Sequence, residues 1–370
     1  MNILLLEPYY TGSHKAWADG LKKYSSHNIK ILSMPGSFWK WRMHGGAITL
    51  AEKFSKLDFC PDLILATDML NLSSFLALTR EKTAGIPTAL YFHENQLTYP
   101  WSPIDRDIKN NRDHHYSFIN YISAYLADKV FFNSGYHKDI FLKDLTRFLK
   151  MFPDNQGLKT VDVIRKKSYV LHLGVDLAKL SRNKPKPVKN KKPLILWNHR
   201  WEHDKNPEDF VNALILLKKK KIDFEVAFLG ECFNKVPETF LKAKKELKAS
   251  IVHFGYAEDQ AEYINWLWKA DIIPVTSHHD FFGESIVQAV HCECIPLLPN
   301  RLSYPEIIPI KQYPDNFYTD QEDLIRKLED LILNLDSCPS PKESVTRFDW
   351  SNIISKYNKK LDGFKNPSSF

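Results

Sequence analysis

The stretch from His278 to Cys294 reads HHDFFGESIVQAVHCEC, and it directly follows the apolar run Asp271 to Pro274. Such a run predicts a buried strand, and Glu284 to His291 predicts a helix that begins just after Gly283. A glycine at a helix start lets a ligand approach the free backbone N–H groups, and the helix dipole favours negative charge there. We therefore predict a turn that a phosphate would fit, although a lone Phe-Gly pair more often belongs to an ordinary turn.

The same alternation of strand and helix extends outward from this stretch in both directions. In the second half, strands are predicted at Leu194 to Trp197, Phe224 to Leu229, Ile251 to Phe254, Asp271 to Pro274 and Ile295 to Leu298. In the first half, they are predicted at Ile3 to Leu6, Ile29 to Leu32, Leu63 to Ala66, Thr88 to Phe92 and Lys129 to Phe132. Helix-length stretches such as Leu70 to Lys82 separate these strands. The pattern predicts an α/β protein with two doubly wound, Rossmann-like parallel sheets.

A segment rich in lysine and proline separates the two halves. Lys184 to Pro193 reads KPKPVKNKKP and has no apolar periodicity, which is typical of a linker. We assign residues 1–178 to an N-terminal domain, 179–193 to the linker, 194–345 to a C-terminal domain and 346–370 to a terminal helix and tail. Two domains are the expectation for 370 residues, and ligands of such folds usually bind beside the carboxyl ends of the strands.

Composition bounds the class of protein. Hydrophobic residues make up 44% and charged residues 26% of the chain, which is typical of globular proteins. Lys and Arg outnumber Asp and Glu by 51 to 44, and the net charge of +7 fits a polyanionic partner without proving one. No run approaches the roughly 18 apolar residues that span a bilayer. We therefore expect a soluble protein without stable membrane association.

The five cysteines predict neither a disulfide framework nor a zinc ribbon. Their number is odd and their spacing is unpaired, so we expect a reducing, cytoplasmic environment. A metal site built from His278, His279, Asp280, Cys292 and Cys294 would fit no standard zinc spacing. Two of these cysteines lie within or just past a helix and would not point at one metal. We predict no metal site.

Two further loops follow predicted strands and carry groups suited to phosphate. Asn198 to Pro207 reads NHRWEHDKNP, and its Arg200 and Lys205 can converge on a diphosphate. Pro8 to His14 reads PYYTGSH, and its Gly12 could bring backbone close to a phosphate, although the loop lacks the full glycine set of a dinucleotide site. Taken alone, a pair such as Arg200 and Lys205 usually lies in a solvated loop, and the Gly12 loop could equally be an ordinary connection.

Together with His93 and with Gly174 to Asp176 at the domain junction, these loops resemble the family 4 retaining glycosyltransferases, which have the GT-B fold. The order and spacing match over nearly the whole chain. The resemblance implies that a nucleotide sugar is the donor and that Arg200 and Lys205 bind its diphosphate, with the Gly12 loop facing the same group. It also implies that His93 positions the sugar. No divalent cation is implied, because cationic side chains and a helix N-terminus stabilise the leaving diphosphate.

The donor signature of that family is a glutamate, seven residues and a second glutamate, with Phe-Gly inside. Aligned on Phe282 and Gly283, its two positions fall on Asp280 and Gln288. Asp280 can still accept hydrogen bonds from sugar hydroxyls, and the amide of Gln288 can accept and donate. Glu284 lies one turn from Gln288 and could supply a carboxylate instead, so Asp280 and Glu284 both remain candidates for the sugar contact.

A closer resemblance covers more of the N-terminal half. The segments LEPYYTGSH (6–14), SFWKWRMHGG (37–46), YFHENQLTYP (91–100), 120–134 and 279–284 look like those of the tRNA-queuosine α-mannosyltransferase family. SFWKWRMHGG is the most specific of them. This resemblance implies transfer of mannose from GDP-mannose to the cyclopentenediol of queuosine in a tRNA anticodon loop, with GDP leaving from the same face.

The acceptor side has its own physical argument. From Phe38 to His44, aromatic and basic side chains alternate, the combination that stacks bases and holds phosphates in single-stranded loops. A second basic cluster spans residues 106–115. We predict RNA contacts by Trp39, Lys40, Trp41, Arg42, His44, Arg112 and His115, unless the tryptophans only pack the loop. A transferase with a lipid or glycan acceptor, and a catalytically weak tRNA-binding protein on the same scaffold, are the alternatives.

Overall fold

The computed structural model describes residues 1–101, 114–186, 190–231 and 236–364. These residues form two compact units. The first unit contains the chain up to Val175 together with the stretch from Trp350 onward, and the second contains Asp176–Asp349. Each unit is built around one parallel sheet, so the prediction of two doubly wound α/β sheets is confirmed.

The sheet of the first unit has six parallel strands in the order β2-β1-β3-β4-β5-β6. The strands are β1 (Asn2–Tyr10), β2 (Asn28–Pro35), β3 (Leu63–Thr67), β4 (Thr88–Phe92), β5 (Lys129–Phe132) and β6 (Ser168–Val170). The helices are α1 (Gly12–Tyr24), α2 (Trp39–Ser55), α3 (Leu72–Leu78), α4 (Arg80–Thr83), α5 (His114–Leu126), α6 (Gly135–Leu149) and α7 (Lys159–Lys166). Helices cover the sheet, and the apolar side chains of its central strands are fully buried.

One predicted helix of this unit is two helices in the structure. The stretch Leu70 to Lys82 contains α3 and α4, which meet at Thr79. The Thr79 hydroxyl donates to the Phe75 carbonyl oxygen at 2.7 Å, one turn back along the chain. A threonine that bonds to backbone in this way competes with the regular helix pattern. The break ends α3, which packs on the core through Leu72 and Phe75, after a short run.

The sheet of the second unit also has six parallel strands, in the order β12-β11-β10-β7-β8-β9. They are β7 (Leu194–Asn198), β8 (Glu225–Leu229), β9 (Ile251–Gly255), β10 (Ile272–Pro274), β11 (Ile295–Pro299) and β12 (Phe317–Tyr318). The helices are α8 (Leu177–Arg182), α9 (Pro207–Lys219), α10 (Glu238–Glu246), α11 (Gln260–Lys269), α12 (Glu284–His291), α13 (Tyr304–Ile307), α14 (Gln321–Leu333) and α15 (Lys342–Thr346). In the sheet, β7 lies directly beside β10, so the loops after these two parallel strands share one edge of the sheet.

The last helix, α16 (Trp350–Asp362), packs into the first unit. Trp350 is buried against two glycines, because a Cβ atom on Gly20 or Gly174 would lie 2.1 or 2.4 Å from its ring. The Trp17 Nε1–H donates to the Tyr357 hydroxyl at 3.0 Å. The units therefore divide after Val175 and again before Trp350, and residues 177–182, partly assigned to the linker from sequence, form α8.

Among the described residues, no helix combines the length and the apolar character needed to cross a lipid bilayer.

Candidate active site

Four buried polar side chains gather at the carboxyl edge of the first sheet. Glu7 and His14 belong to β1 and α1, whereas Asp68 and His93 directly follow β3 and β4. The Nδ1 atom of His14 lies 3.2 Å from Glu7 Oε2, and the rings of His14 and His93 stack with centroids 4.2 Å apart. The backbone N–H of His93 donates to Asp68 Oδ1 at 2.8 Å. Strands β1, β3 and β4 are neighbours in the sheet, which brings the four residues together.

The two histidines of this cluster differ in charge: one is cationic and the other is neutral. Burial alone would lower the pKa of His14, but the charge of Glu7, aided by Asp68 and Glu94, outweighs it and raises this pKa to about 9. Burial and the neighbouring His14 cation hold the pKa of His93 well below its usual range. At neutral pH, His14 is therefore an imidazolium and His93 is neutral. Neither ring nitrogen of His93 has a hydrogen-bond partner among the described residues, so both are available to a ligand.

Glu7, His14 and His93 also form a group that could hold a metal ion. Their potential ligand atoms lie within 4.8 Å of one another. Sequence spacing gave no sign of this trio, because His93 follows β4 and is distant in the chain from Glu7 in β1 and His14 in α1. In the charge state above, a metal would have to displace the proton that His14 shares with Glu7. The cluster considered from sequence is different: its Cys294 Sγ lies 3.2 Å from the carbonyl oxygens of Leu267 and Ala270.

Gly12 starts α1 in a left-handed conformation, with φ +49°. No described atom lies within 4 Å of the place where a Cβ atom would be, so the backbone at the N-terminus of this helix is open. The first turn of α1 contains no acidic residue. These features suit an anion, in line with the prediction from sequence.

In the second unit, the loops after β7 and β10 bring Lys205 and Asp280 together. The Lys205 ammonium donates to the His279 carbonyl oxygen at 2.8 Å and lies 3.2 Å from Asp204 Oδ2 and 3.9 Å from Asp280 Oδ2. Its side chain is only 12% exposed. Arg200 is on the same loop, 3.4 Å from Glu202, and its side chain is 45% exposed. The two cations predicted to bind a diphosphate thus lie on one loop, with Lys205 fixed and Arg200 reaching solvent.

Lys205 controls the charge of its neighbours. Burial alone would raise the pKa of Asp204, but Lys205 and Arg200 outweigh it and lower that pKa below its usual range. Burial, followed by the charge of Lys205, lowers the pKa of His199 and of His279 to about 4. The loop therefore presents its positive charge on Lys205 and Arg200, with both histidines neutral at pH 7.

Helix α12 begins beside this loop, with Gly283 as its N-cap residue at φ +93°. The Tyr263 hydroxyl donates to Gln288 Oε1 at 2.8 Å, and Gln288 Nε2 donates to Glu284 Oε1 at 3.1 Å. The oxygen and the nitrogen of the Gln288 amide therefore both have protein partners. Gln288 engages one oxygen of the Glu284 carboxylate and not the other. Burial, together with repulsion from Asp280, raises the pKa of Glu284 to about 7.

The residues predicted to contact RNA separate into exposed and supporting groups. Trp39 packs on Trp101 and Tyr116, with ring centroids 6.3 and 5.1 Å away. Arg42 is 8% exposed and donates to the Pro35 carbonyl oxygen at 3.0 Å and to Ser37 Oγ at 3.2 Å, so its guanidinium holds the preceding loop and does not point into solvent.

The other predicted contacts lie at the surface. The exposed rings of His44 and His115 stack with centroids 4.4 Å apart, which unites two residues that are distant in sequence. The Lys40 ammonium lies 5.6 Å from the centre of the Trp39 ring. Trp41 is 61% exposed. Arg112 lies outside the described residues.

Several residues of the site were not singled out from sequence. Asp68 follows β3 directly, so the strand-end argument that selected His93 could have found it. Arg301 donates to the carbonyl oxygens of Thr276 and Ser277 at 3.0 and 3.1 Å and shapes the loop after β10. Glu7 directly follows the predicted strand Ile3 to Leu6, so the same strand-end argument could have found it, and in the structure it lies within β1 and contacts His14.

The comparisons with known proteins agree with this architecture. A model described as tRNA-queuosine alpha-mannosyltransferase N-terminal matches residues 2–175, and one for glycosyl transferases group 1 matches residues 180–345. A glycosyltransferase from Rickettsia africae superposes with a TM-score of 0.67 at 17% identity, covering 99% of each chain. Anabaena HepE in complex with UDP-glucose superposes with a TM-score of 0.64 at 15% identity, covering 98% of this chain and 100% of that one. The fold and the matching family models define a glycosyltransferase of the GT-B class.

A tRNA-queuosine alpha-mannosyltransferase from Drosophila melanogaster is 35% identical over 335 residues, which is 88% of this chain and 86% of that protein. The chain belongs to the tRNA-queuosine α-mannosyltransferase family.

Proposed function

We propose that the protein transfers mannose from GDP-mannose to the queuosine nucleoside of a tRNA anticodon loop, with retention of configuration at the anomeric carbon. The observation that carries the donor side is the proximity of Lys205 and Asp280, 3.9 Å apart just before the N-terminus of α12, with Arg200 on the same loop as Lys205. Fixed cations and a helix N-terminus are the groups that stabilise a leaving diphosphate. The acceptor and the sugar are inferred from the family and from the name of the Drosophila relative.

In the proposed reaction, an acceptor hydroxyl attacks the anomeric carbon as the bond to the diphosphate oxygen breaks. GDP leaves from the same face, and its phosphate takes the acceptor proton. Arg200 and Lys205 offset the charge that develops on the diphosphate. Neutral His93, with two unpartnered ring nitrogens, would hold a sugar hydroxyl.

We propose that this chemistry needs no metal ion, because the side chains above supply the positive charge. Arg200 is half-exposed and can move toward a ligand, whereas Lys205 is held by Asp204 and the His279 carbonyl. The cytoplasm is the proposed compartment, since it contains the tRNA acceptor, and Cys60, Cys292, Cys294 and Cys338 are free thiols.

Asp280 is the carboxylate that we propose meets the sugar. It lies 3.9 Å from Lys205, which favours its charged form, whereas burial and Asp280 raise the pKa of Glu284 to about 7 and disfavour the ionised carboxylate there. Asp280→Ala is expected to lower turnover at least about 100-fold, because contacts made in the transition state carry effects of that size. Glu284→Gln, a matched variant four residues away, should keep more than a tenth of the wild-type rate. Near-normal turnover of Asp280→Ala would move the sugar contact to Glu284.

The decisive experiment is incubation of the purified protein with GDP-mannose and queuosine-containing tRNA, followed by mass spectrometry of the digested nucleosides. A parallel reaction contains EDTA. A hexose on queuosine that forms equally well with EDTA supports donor, acceptor and metal independence together. Loss of product with EDTA would instead point to an ion at Glu7, His14 and His93. If tRNA binds but no hexose appears, a catalytically weak tRNA-binding protein becomes the better interpretation.

A further inference from the structure

Two large aromatic side chains stand in solvent at the start of α2. Phe38 is 78% exposed and Trp41 is 61% exposed. Their neighbour Trp39, by contrast, packs against a small core that contains Met43, Met69 and other buried side chains. Exposed hydrophobic side chains that occur together mark contacts with a partner, whereas single ones are normal on a protein surface.

The Trp41 ring lies against the surface of its own helix at Gly45. A Cβ atom on Gly45 would lie 2.8 Å from Trp41 Cε2 and Cζ2, so the indole rests directly on the helix surface at this glycine. Glycine inside a helix is unfavourable, and its presence here gives the ring a place to lie. One face of the indole is thereby supported, and the other is left open.

The backbone before the helix is equally constrained. Phe38 adopts the left-handed conformation with φ +53°, which is uncommon for a bulky residue. Arg42 bonds to the Pro35 carbonyl and the Ser37 hydroxyl and so fixes the loop from which the Phe38 ring projects. A strained residue that its surroundings hold in place is typical of functional loops.

This loop lies against the loop that follows β1. A Cβ atom on Gly36 would lie 2.1 Å from Thr11 Cγ2, so the backbone of Gly36 lies against the side chain of Thr11, one residue before Gly12. The surroundings are basic: Lys40 lies beside Trp39, and the first turn of α2 contains no acidic residue. His44 and His115 stack one turn further along the helix. A partner on this surface would therefore carry flat rings and negative charge.

We propose that Phe38 and Trp41 form a stacking platform for unpaired bases of the acceptor RNA that flank the modified nucleoside. This inference rests on the proposed function, and it reassigns the RNA contacts predicted from sequence. Phe38 and Trp41 touch bases, whereas Trp39 and Arg42 support the loop. Bases stack on aromatic side chains in single-stranded segments with little dependence on sequence, which suits a platform beside a specific site.

The test compares variants in their affinity for a queuosine-containing anticodon stem-loop and in their KM for tRNA. Phe38→Ala and Trp41→Ala are each expected to lower the RNA affinity and to raise the KM for tRNA by about 5- to 150-fold, the range found for removal of one stacking ring. Trp41→Phe should retain most of the affinity. Tyr256→Ala removes a ring that is 69% exposed in the second unit and should change neither quantity.

Gly45→Ala separates the platform from general stability. The added methyl group favours the helix but pushes the indole off its surface, so RNA affinity should fall while the melting temperature does not. Affinity for GDP should be unchanged in all these variants. Wild-type transfer combined with unaltered RNA affinity in Phe38→Ala and Trp41→Ala overturns the platform and leaves the proposed function standing. If the wild-type protein binds RNA but transfers no hexose, and both variants bind RNA more weakly, the proposed function is overturned and the platform stands.

Discussion

Near the donor loop, Glu284 is a carboxyl group whose protonated and ionised forms are similarly populated at neutral pH. Its pKa is raised to about 7, first by burial and then by Asp280. A carboxyl group whose pKa is higher in the folded than in the unfolded protein destabilises the fold once the unfolded chain can ionise. Its contribution is therefore intact below about pH 4.5, declines as the pH rises to 7 and stays constant above that.

We expect the difference in melting temperature between Glu284→Gln and wild-type protein to grow as the pH rises from about 4.5 to 7, in favour of the variant. The glutamine stays neutral and can still accept the hydrogen bond from Gln288, so packing should be preserved. Thermal unfolding at several pH values between 4.5 and 8 measures this difference. A difference that does not change with pH would show that the folded protein does not disfavour the ionised carboxylate.

The sequence reveals some side chains of the site and hides others for a simple reason. Lys205 and Asp280 follow apolar runs that read as strands, so their position at strand ends could be predicted. The association of Glu7 and His14 with Asp68 and His93 depends on β3 lying between β1 and β4, and local periodicity does not reveal strand order. The occupied amide of Gln288 likewise requires knowledge of Tyr263, which comes from a different helix.

Helix α12 depends on the conformation of its N-cap residue. Gly283 has φ +93°, and a Cβ atom there would lie 3.0 Å from Ile307 Cδ1 and 3.1 Å from Ile286 Cδ1. An alanine would therefore both strain the backbone and displace the start of the helix. Because the free N–H groups at this end face the proposed diphosphate, the displacement should also weaken nucleotide binding.

We predict that Gly283→Ala lowers stability by about 1–2 kcal/mol or more and also lowers the affinity for GDP. Gly85→Ala is the matched control. Gly85 has φ +76° in a turn before β4, and no described atom lies within 4 Å of its Cβ position. The control should lose stability without loss of GDP affinity, as measured by chemical unfolding and calorimetric titration. Equal GDP affinity in both variants would contradict a role for the α12 terminus in donor binding.

Element type was predicted well from the apolar runs, and element ends less so. All ten strands predicted from sequence are present, while the short edge strands β6 and β12 were not foreseen. Edge strands of two or three residues carry too few side chains to show a pattern. The described residues of the Lys- and Pro-rich segment, 184–186 and 190–193, belong to no helix or strand. Helix α8 precedes the segment because Leu177 and Leu180 bury their side chains.

The two compact units provide separate readouts for mutations. Trp350 is 1% exposed and fills the space beside Gly20 and Gly174 of the first unit. We predict that Trp350→Ala lowers the stability of this unit by about 3–5 kcal/mol, as removal of a buried aromatic usually does. Hydrogen exchange should show lost protection in β1 and α1, while strands β7 to β11 remain protected. Similar losses in both units would mean that they unfold as one.

Binding of GDP tests the second unit in the way that Trp350→Ala tests the first. If GDP binds through Lys205 and Arg200, it should raise the stability of the second unit by mass action and leave the effect of Trp350→Ala on the first unit unchanged. Separate transitions in calorimetry would resolve the two contributions. Stabilisation of the first unit alone would contradict the placement of the donor diphosphate.

The return of α16 to the first unit also governs the order in which the protein can mature on the ribosome. The residues that close the space around Gly20 and Gly174 are synthesised after the entire second unit. At translation speeds of about 5–20 residues per second, the nascent N-terminal sheet must wait on the order of ten seconds or longer for its final helix. During that interval its unfilled tryptophan pocket is a natural target for chaperones, and slow codons in the second half of the message would prolong the exposure.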